Sequence, residues 1–180
     1  MIRRLALLTA LLCAPLFALA QLSAPQIATL KAYCLADSAC TALHNAAADV
    51  QLAEWLNTAD ATYIVWRTSV TQEEIMQDAA FDWTRVDNLT VGKARIWDLM
   101  FRNSCQCIAP ANSNIRAGID AAWVGTAADL AVRAAIYAKC KRAATRAERA
   151  LASGAGTTGS PATMSWSGVI SSGEASTIRS

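Results

Sequence analysis

A mainly α fold with a minor β component is predicted by three features: apolar residues recurring at helical spacing, a series of N-terminal capping boxes, and one short run rich in β-branched and aromatic residues. The expected architecture is a compact bundle of short helices plus one long helix over about 127–152, with a small hairpin or two-stranded pairing of about 62–68 with 163–170. The stretch 81–103, FDWTRVDNLTVGKARIWDLMFRN, is its centre. Leu89, Ile96 and Met100 recur at helical spacing, and Trp97 and Phe101 widen that stripe into a face that neighbours must cover. Trp66, Trp83, Trp97, Phe101 and Trp123 are the expected core anchors, because aromatic rings bury the most area.

Taken in order, Ser23-Ala24-Pro25-Gln26 is a capping box with an early proline, which predicts a helix over 24–36 with Ile27, Leu30 and Cys34 on one face. Asp37-Ser38 is expected to break it. A second helix over 46–56 would carry Val50, Ala53 and Leu56 inward, antiparallel to the first. TYIVWRT, 62–68, is the strand candidate, and its expected partner is the alternating segment Thr163-Met164-Ser165-Trp166-Ser167 with Val169 and Ile170. Thr71-Gln72-Glu73-Glu74 opens a short helix to about Ala79. Asp87 or Asn88 is expected to cap the central helix over 89–102, and Asn114 a helix carrying Ile115, Ile119 and Trp123 until Gly125. Thr126 with Asp129 begins the long helix, whose apolar side would be Leu130, Ala134, Tyr137, Ala144 and Leu151. Arg133 falls on that side, with Asp129 one turn back as its expected partner. Gly154 ends the helix, GAGTTGSP reads as a flexible linker, and Ser171 with Glu174 marks a last helical turn.

Three segments follow. Residues 1–20, MIRRLALLTALLCAPLFALA, have the arginines, apolar run and small-residue end of a secretory signal peptide, unless translation starts near Leu22. Residues 21–153 form the helical domain, and 154–180 a Gly/Ser/Thr linker with a C-terminal strand packing back. No other run is long enough to span a bilayer. The chain holds 16 Lys+Arg and 14 Asp+Glu, and setting Arg3 and Arg4 aside with the leader brings the two counts level. A neutral domain has no global attraction to nucleic acid or acidic lipid.

Little in the chain points to catalysis or a cofactor. His44 is the sole histidine, the G-x-S-x-G nucleophile elbow is absent, and Glu73 and Glu74 are adjacent and so face apart on a helix. The spacing C-x5-C-x3-H and C-x-C departs from paired zinc-ligand patterns, so no metal is expected. Without Cys13 in the leader, five cysteines remain: Cys34, Cys40, Cys105, Cys107 and Cys140. In an exported chain they allow two bridges and one free thiol, with Cys34–Cys40 and a link from Cys105 or Cys107 to Cys140 as candidates; in a reducing compartment none forms. Lys139, Arg142, Arg146 and Arg149 would share one face of the long helix, either as a solvated stripe or as a contact surface for phosphates.

Three stretches, TYIVWRTSV, FDWTRVDNLTVGKARIWDLMF and NIRAGIDAAWVGTAADLAVRAAIYAKCKRAATRAERALASGAGTTGSPATMSWSG, resemble in this order a family of uncharacterised tailed-bacteriophage and prophage proteins. The resemblance runs from about Ser23 to the C-terminus and carries no functional residue. It implies a non-enzymatic virion or morphogenesis protein that associates with itself or with other phage structural proteins, in the virion or host cytoplasm. The leader implies the alternative, an exported disulfide-containing helical protein of the periplasm or exterior that binds a partner.

Overall fold

The computed structural model describes residues 22–180; the leader read over 1–20 lies outside the described residues. Helices dominate, in the order α1 (Ala24–Leu35), α2 (Ser38–Asn45), α3 (Asp49–Asn57), α4 (Gln72–Met76), α5 (Thr84–Asp87), α6 (Val91–Met100), α7 (Ser113–Ala122), α8 (Ala127–Lys139), α9 (Arg146–Leu151) and α10 (Ser172–Arg179). Six short strands interrupt them: β1 (Ala59–Trp66), β2 (Val70–Thr71), β3 (Cys107–Ile108), β4 (Lys141–Thr145), β5 (Ala152–Ser153) and β6 (Thr163–Met164). The class is mainly α with minor β, as the sequence predicts.

Capping chemistry sets most helix starts. Boxes built from Ser23 and Gln26, Thr71 and Glu74, Thr126 and Asp129, Thr145 and Glu148, and Ser171 and Glu174 open α1, α4, α8, α9 and α10. In each, the third helical residue reaches back to satisfy a backbone N–H that the helix leaves unpaired. Asp37 both ends α1 and starts α2, accepting the N–H groups of Ala39 at 2.9 Å and Cys40 at 3.1 Å. The expected break at Asp37-Ser38 therefore holds an additional helix. Thr90, not Asp87 or Asn88, caps α6, and Asn112, not Asn114, caps α7.

The expected long helix over 127–152 does not exist. It stops at Lys139, and residues 141–145 extend as β4 before the Thr145 box restarts a helix. The physical reason is β1: its register places Trp66 opposite Lys141, Val65 opposite Arg142 and Ile64 opposite Ala143, with a shift before Asp60 opposite Ala144. Arg67 closes the end of α8, its N–H donating to the Cys140 carbonyl at 2.8 Å and its guanidinium to the Lys139 carbonyl at 3.2 Å. Tertiary pairing here overrides the helix propensity of the two alanines.

The partner of β1 is thus β4, not the segment 163–170. That segment supplies β6, which pairs with β5. Ala162, just before it, hydrogen-bonds to β1, accepting from the Trp66 N–H and donating to the Ile64 carbonyl, both at 2.9 Å. The stretch read as a flexible linker is tied down as well: the Ile64 N–H donates to Gly156 O at 2.7 Å and the Tyr63 hydroxyl to Gly154 O at 3.0 Å. Gly156 has φ 67°, and a Cβ there would stand 2.2 Å from the Tyr63 ring. Past it, the expected strand over 163–170 is limited to Thr163–Met164, and the helical turn expected from Ser171 and Glu174 is α10, two turns long and packed on α3 and α1.

Two apolar cores result. The first joins α1, α2, α3, α9 and α10 through Leu30, Leu52, Leu56, Leu151, Ile170 and Ile178. The second joins α4, α6, α7 and α8 around Trp97, Phe101, Trp123, Ile119 and Ile136. A thin seam of Val65, Ala144 and Ala162 runs between them along β1 and β4. Everything between the two strands belongs to the second core, so it is an insertion closed by the β1–β4 ribbon.

Several predicted inward residues face out. Val50 and Leu130 are exposed, and the buried side of α8 is Val132, Ala135 and Ile136. Trp83 is 53 % exposed, and Phe81 takes its place in the core. Asp82 accepts the Thr84 N–H at 3.0 Å as the chain turns into α5, and Trp83 is left edge-on to Phe81 at 5.6 Å on the solvent side of it. The rings of Phe81, Trp97 and Trp123 meet at centroid distances of 5.4–6.4 Å, and Phe101 adds an edge to Trp97 at 4.9 Å. Trp123→Ala should therefore cost about 3–5 kcal/mol in denaturant unfolding, and Trp83→Ala no more than about 0.5 kcal/mol. Equal losses would contradict this assignment of the core.

Candidate functional site

The four cations expected to form a stripe, Lys139, Arg142, Arg146 and Arg149, are dispersed by the break at β4 and are engaged within the chain. Lys139 reaches Asp78 at 3.0 Å from the end of α8. Arg142 forks onto Glu148 through two 2.6 Å hydrogen bonds. Arg146 lies 4.5 Å over the Trp55 ring and donates to the Trp55 carbonyl at 3.2 Å. Arg149 pairs with Asp60 and rests 5.3 Å over Tyr63. They brace elements against one another instead of presenting a common face. The expected Asp129–Arg133 pair is also replaced: Arg133 meets Asp120 at 3.4 Å, and Asp129 meets Arg85 at 2.7 Å.

A different set of residues converges on a cleft of about 610 Å³. Its floor is Trp66, tilted against Tyr137 at 5.6 Å, and its walls include Arg116, Asp120, Arg133 and Lys141. Arg116 stands 4.8 Å and Lys141 5.3 Å from the Trp66 ring. Both donate to backbone carbonyls, Arg116 to Pro110 and Ala111, and Lys141 to Thr158. Their charges are therefore available to an anionic group entering the cleft. Burial, and next the hydrogen bond to Asp120, push the Tyr137 hydroxyl well above its ordinary range, so it stays protonated. Of this cleft the sequence suggests Trp66 as a core anchor and Leu130, Ala134 and Tyr137, with Arg133, as the inward side of a helix; the structure turns that side to the cleft instead. Trp66 and Lys141 become neighbours only through the β1–β4 register.

The cysteines sort differently from expectation. Cys34–Cys40 forms as a disulfide, with both residues fully buried, and ties α1 to α2 across a Cα separation of 5.1 Å. Cys105 pairs with Cys107, not with Cys140. Cys140 is a free buried thiol at the end of α8, and burial pushes its pKa up to about 12. A second hollow of about 360 Å³ lies beside the Cys105–Cys107 loop, lined by Gln72, Glu73, Met76, Gln77, Trp83 and Gln106. His44 lies on α2, its Nδ1 3.4 Å from Asn45 Oδ1, so the sole imidazole is not part of either hollow.

Glu148 is the most buried acid described, at 2 % exposure. Burial alone would raise its pKa, but the Arg142 fork, the Thr145 N–H and the Ser167 hydroxyl outweigh it, and the carboxyl is held below its ordinary range. Glu148→Gln should destabilise by about 3 kcal/mol, the low end for breaking a buried pair, because Arg142 keeps partial solvent access. Denaturant unfolding of the variant measures this.

Asp60 and Asp129 are held at about 2, against 3.8 when unperturbed. The Thr62 hydroxyl and then Arg149 act on Asp60; the Thr126 N–H and then Arg85 act on Asp129. A depressed carboxyl stabilises the fold above its unfolded value, and that stability is lost as pH falls through the folded one. The unfolding midpoint should fall from pH 3.8 towards about 2, and Asp60→Asn should lessen that fall.

Searches against protein-family models, curated proteins and solved structures find no match to this chain.

Proposed function

We propose that this chain works by contact and not by turnover, as an exported, disulfide-containing helical protein that binds a partner in an oxidising compartment. In this reading a phage or prophage gene has acquired an export signal and a new use. The observation that supports it best is Cys34–Cys40, a bridge between two fully buried residues in the first core. Such pairs persist where the surroundings are oxidising and stay reduced in a cytosol. The leader-like residues 1–20 point the same way. The Trp66 cleft, with Arg116 and Lys141 over an indole, is the face best suited to an acidic partner group.

A second reading keeps the chain in the host cytoplasm or virion, assembling with copies of itself or with other phage structural proteins. The outward side of α6 favours it: Val91 is 87 % exposed, Leu99 is exposed, and a Cβ on Gly92 would meet open space. Arg95 and Asp98 are exposed on the same side, so a partner there would meet charged as well as apolar groups.

Thiol counting on natively expressed protein, unfolded without reductant, separates the two. The exported reading expects one thiol, Cys140, rising to five after reduction. Five thiols before reduction would overturn it in favour of the cytoplasmic one.

A further inference from the structure

The two disulfides differ in what governs their chemistry. Cys34–Cys40 is sealed in the first core, whereas Cys105 is exposed and Cys107 half-buried, separated by Gln106 alone. A link across so short a loop restrains the unfolded chain least, so stability gives little reason for it. Yet the loop is held firmly. The Asn103 amide grips Cys107 on both sides, donating to its carbonyl at 2.6 Å and accepting its N–H at 3.0 Å. The Gln106 N–H donates to Asn103 O at 3.0 Å, and Gln106 O accepts the Gln72 N–H at 2.9 Å.

Gln106 itself has φ 47°, the left-handed region that a side-chain-bearing residue enters at a cost. It forms a ridge between two hollows. On one side is the groove with Met76 and the half-exposed Trp83; on the other is a hollow of about 290 Å³ with Asp98, Phe101 and Arg102. Trp83 packs edge-on to Phe81 at 5.6 Å, which fixes the indole while leaving it open to solvent. Gln106, the residue between the two cysteines, thus lines a groove whose apolar walls are Trp83 and Met76 and whose other walls are Gln72, Glu73 and Gln77.

We propose that Cys105–Cys107 is a thiol–disulfide exchange site for a cysteine-bearing segment of a partner protein, seated by an apolar side chain in the Trp83–Met76 groove. The partner's thiolate attacks the exposed Cys105 Sγ and forms a new S–S bond there. The Cys105–Cys107 bond breaks, and its electron pair departs on Cys107 Sγ. Cys107 then takes up, through water, the proton that the partner's thiol gave up. The products are a Cys105–partner mixed disulfide and a Cys107 thiol, with no net oxidation. The buried Cys34–Cys40 pair is closed to the same attack, because exchange requires access along the S–S bond. This one-for-one reaction extends the contact reading with a covalent step, and rests on it only for an oxidised starting state.

The test uses the purified chain with both pairs closed, checked by peptide mapping, and two short peptides that each carry one reduced cysteine. Leucine and phenylalanine flank the cysteine in one, serine and glycine in the other. After acid quenching, mass spectrometry should find the adduct on Cys105 with Cys34–Cys40 intact, forming about tenfold faster with the apolar peptide. Trp83→Ala should bring the apolar peptide down to the rate of the polar one. Equal rates for the two peptides on the unaltered chain, adducts on Cys34 or Cys40, or no adduct would each overturn the proposal. Because the chain is oxidised beforehand, a native count of five thiols would sink the export reading without altering these rates. A missing adduct would sink the exchange site alone.

Discussion

The antiparallel pairing of β1 with β4 is the constraint on which the rest depends. It brings Asp60 to Arg149, 89 positions away, and closes the whole second core as an insertion between two strands. Loop closure over that distance costs entropy before any long-range contact rewards it. The reward is split: Ile64 and Trp66 exchange backbone hydrogen bonds with Gly156 and Ala162 on one side, while the ladder to 141–145 forms on the other. Because β1 has neighbours on both sides, its backbone groups are satisfied without a large sheet.

A second economy runs through the helix starts. Glu74, Asp129 and Glu148 each close a capping box and at the same time pair with an arginine outside their own helix: Arg67 at 2.8 Å, Arg85 at 2.7 Å and Arg142 at 2.6 Å. One ordered carboxylate serves both the cap and the cation, so the two contacts share a single loss of side-chain freedom. Each such residue couples a local helix start to a tertiary contact. Arg142 is an internal brace for this reason, while Arg146 and Arg149 brace through Trp55 and Asp60.

Legibility in the sequence followed this division. Four capping boxes, the aromatic centre at Trp97, Phe101 and Trp123, and the Cys34–Cys40 pair were all readable, because each depends on residues close in the chain or on gross apolarity. The fifth box, Thr145 to Glu148, was equally local and equally readable, but an unbroken run of alanines and arginines hid it inside a longer helical pattern. Trp83 was misplaced for a subtler reason. Phe81 and Trp83 are both aromatic, and only the folded chain, turning into α5 here, decides which ring enters the core. Of the Trp66 cleft only the α8 wall, Leu130, Arg133, Ala134 and Tyr137, was legible as one helical face; the remaining walls come from β1, α7, β4 and Gly159, and no spacing rule joins those to it.

The sequence by itself determined the helical class, the starts of α1, α4, α8 and α10, the aromatic centre of the second core and the supply of thiols, since capping, periodicity and apolar content act over a few residues. Tertiary structure alone decided that residues 141–145 extend as a strand, that Cys105 pairs with Cys107, and that Trp66 faces two cations. The reason is that a strand has no internal hydrogen bonds: whether a segment extends is settled by the partner that reaches it, and here that partner lies on the far side of the inserted core.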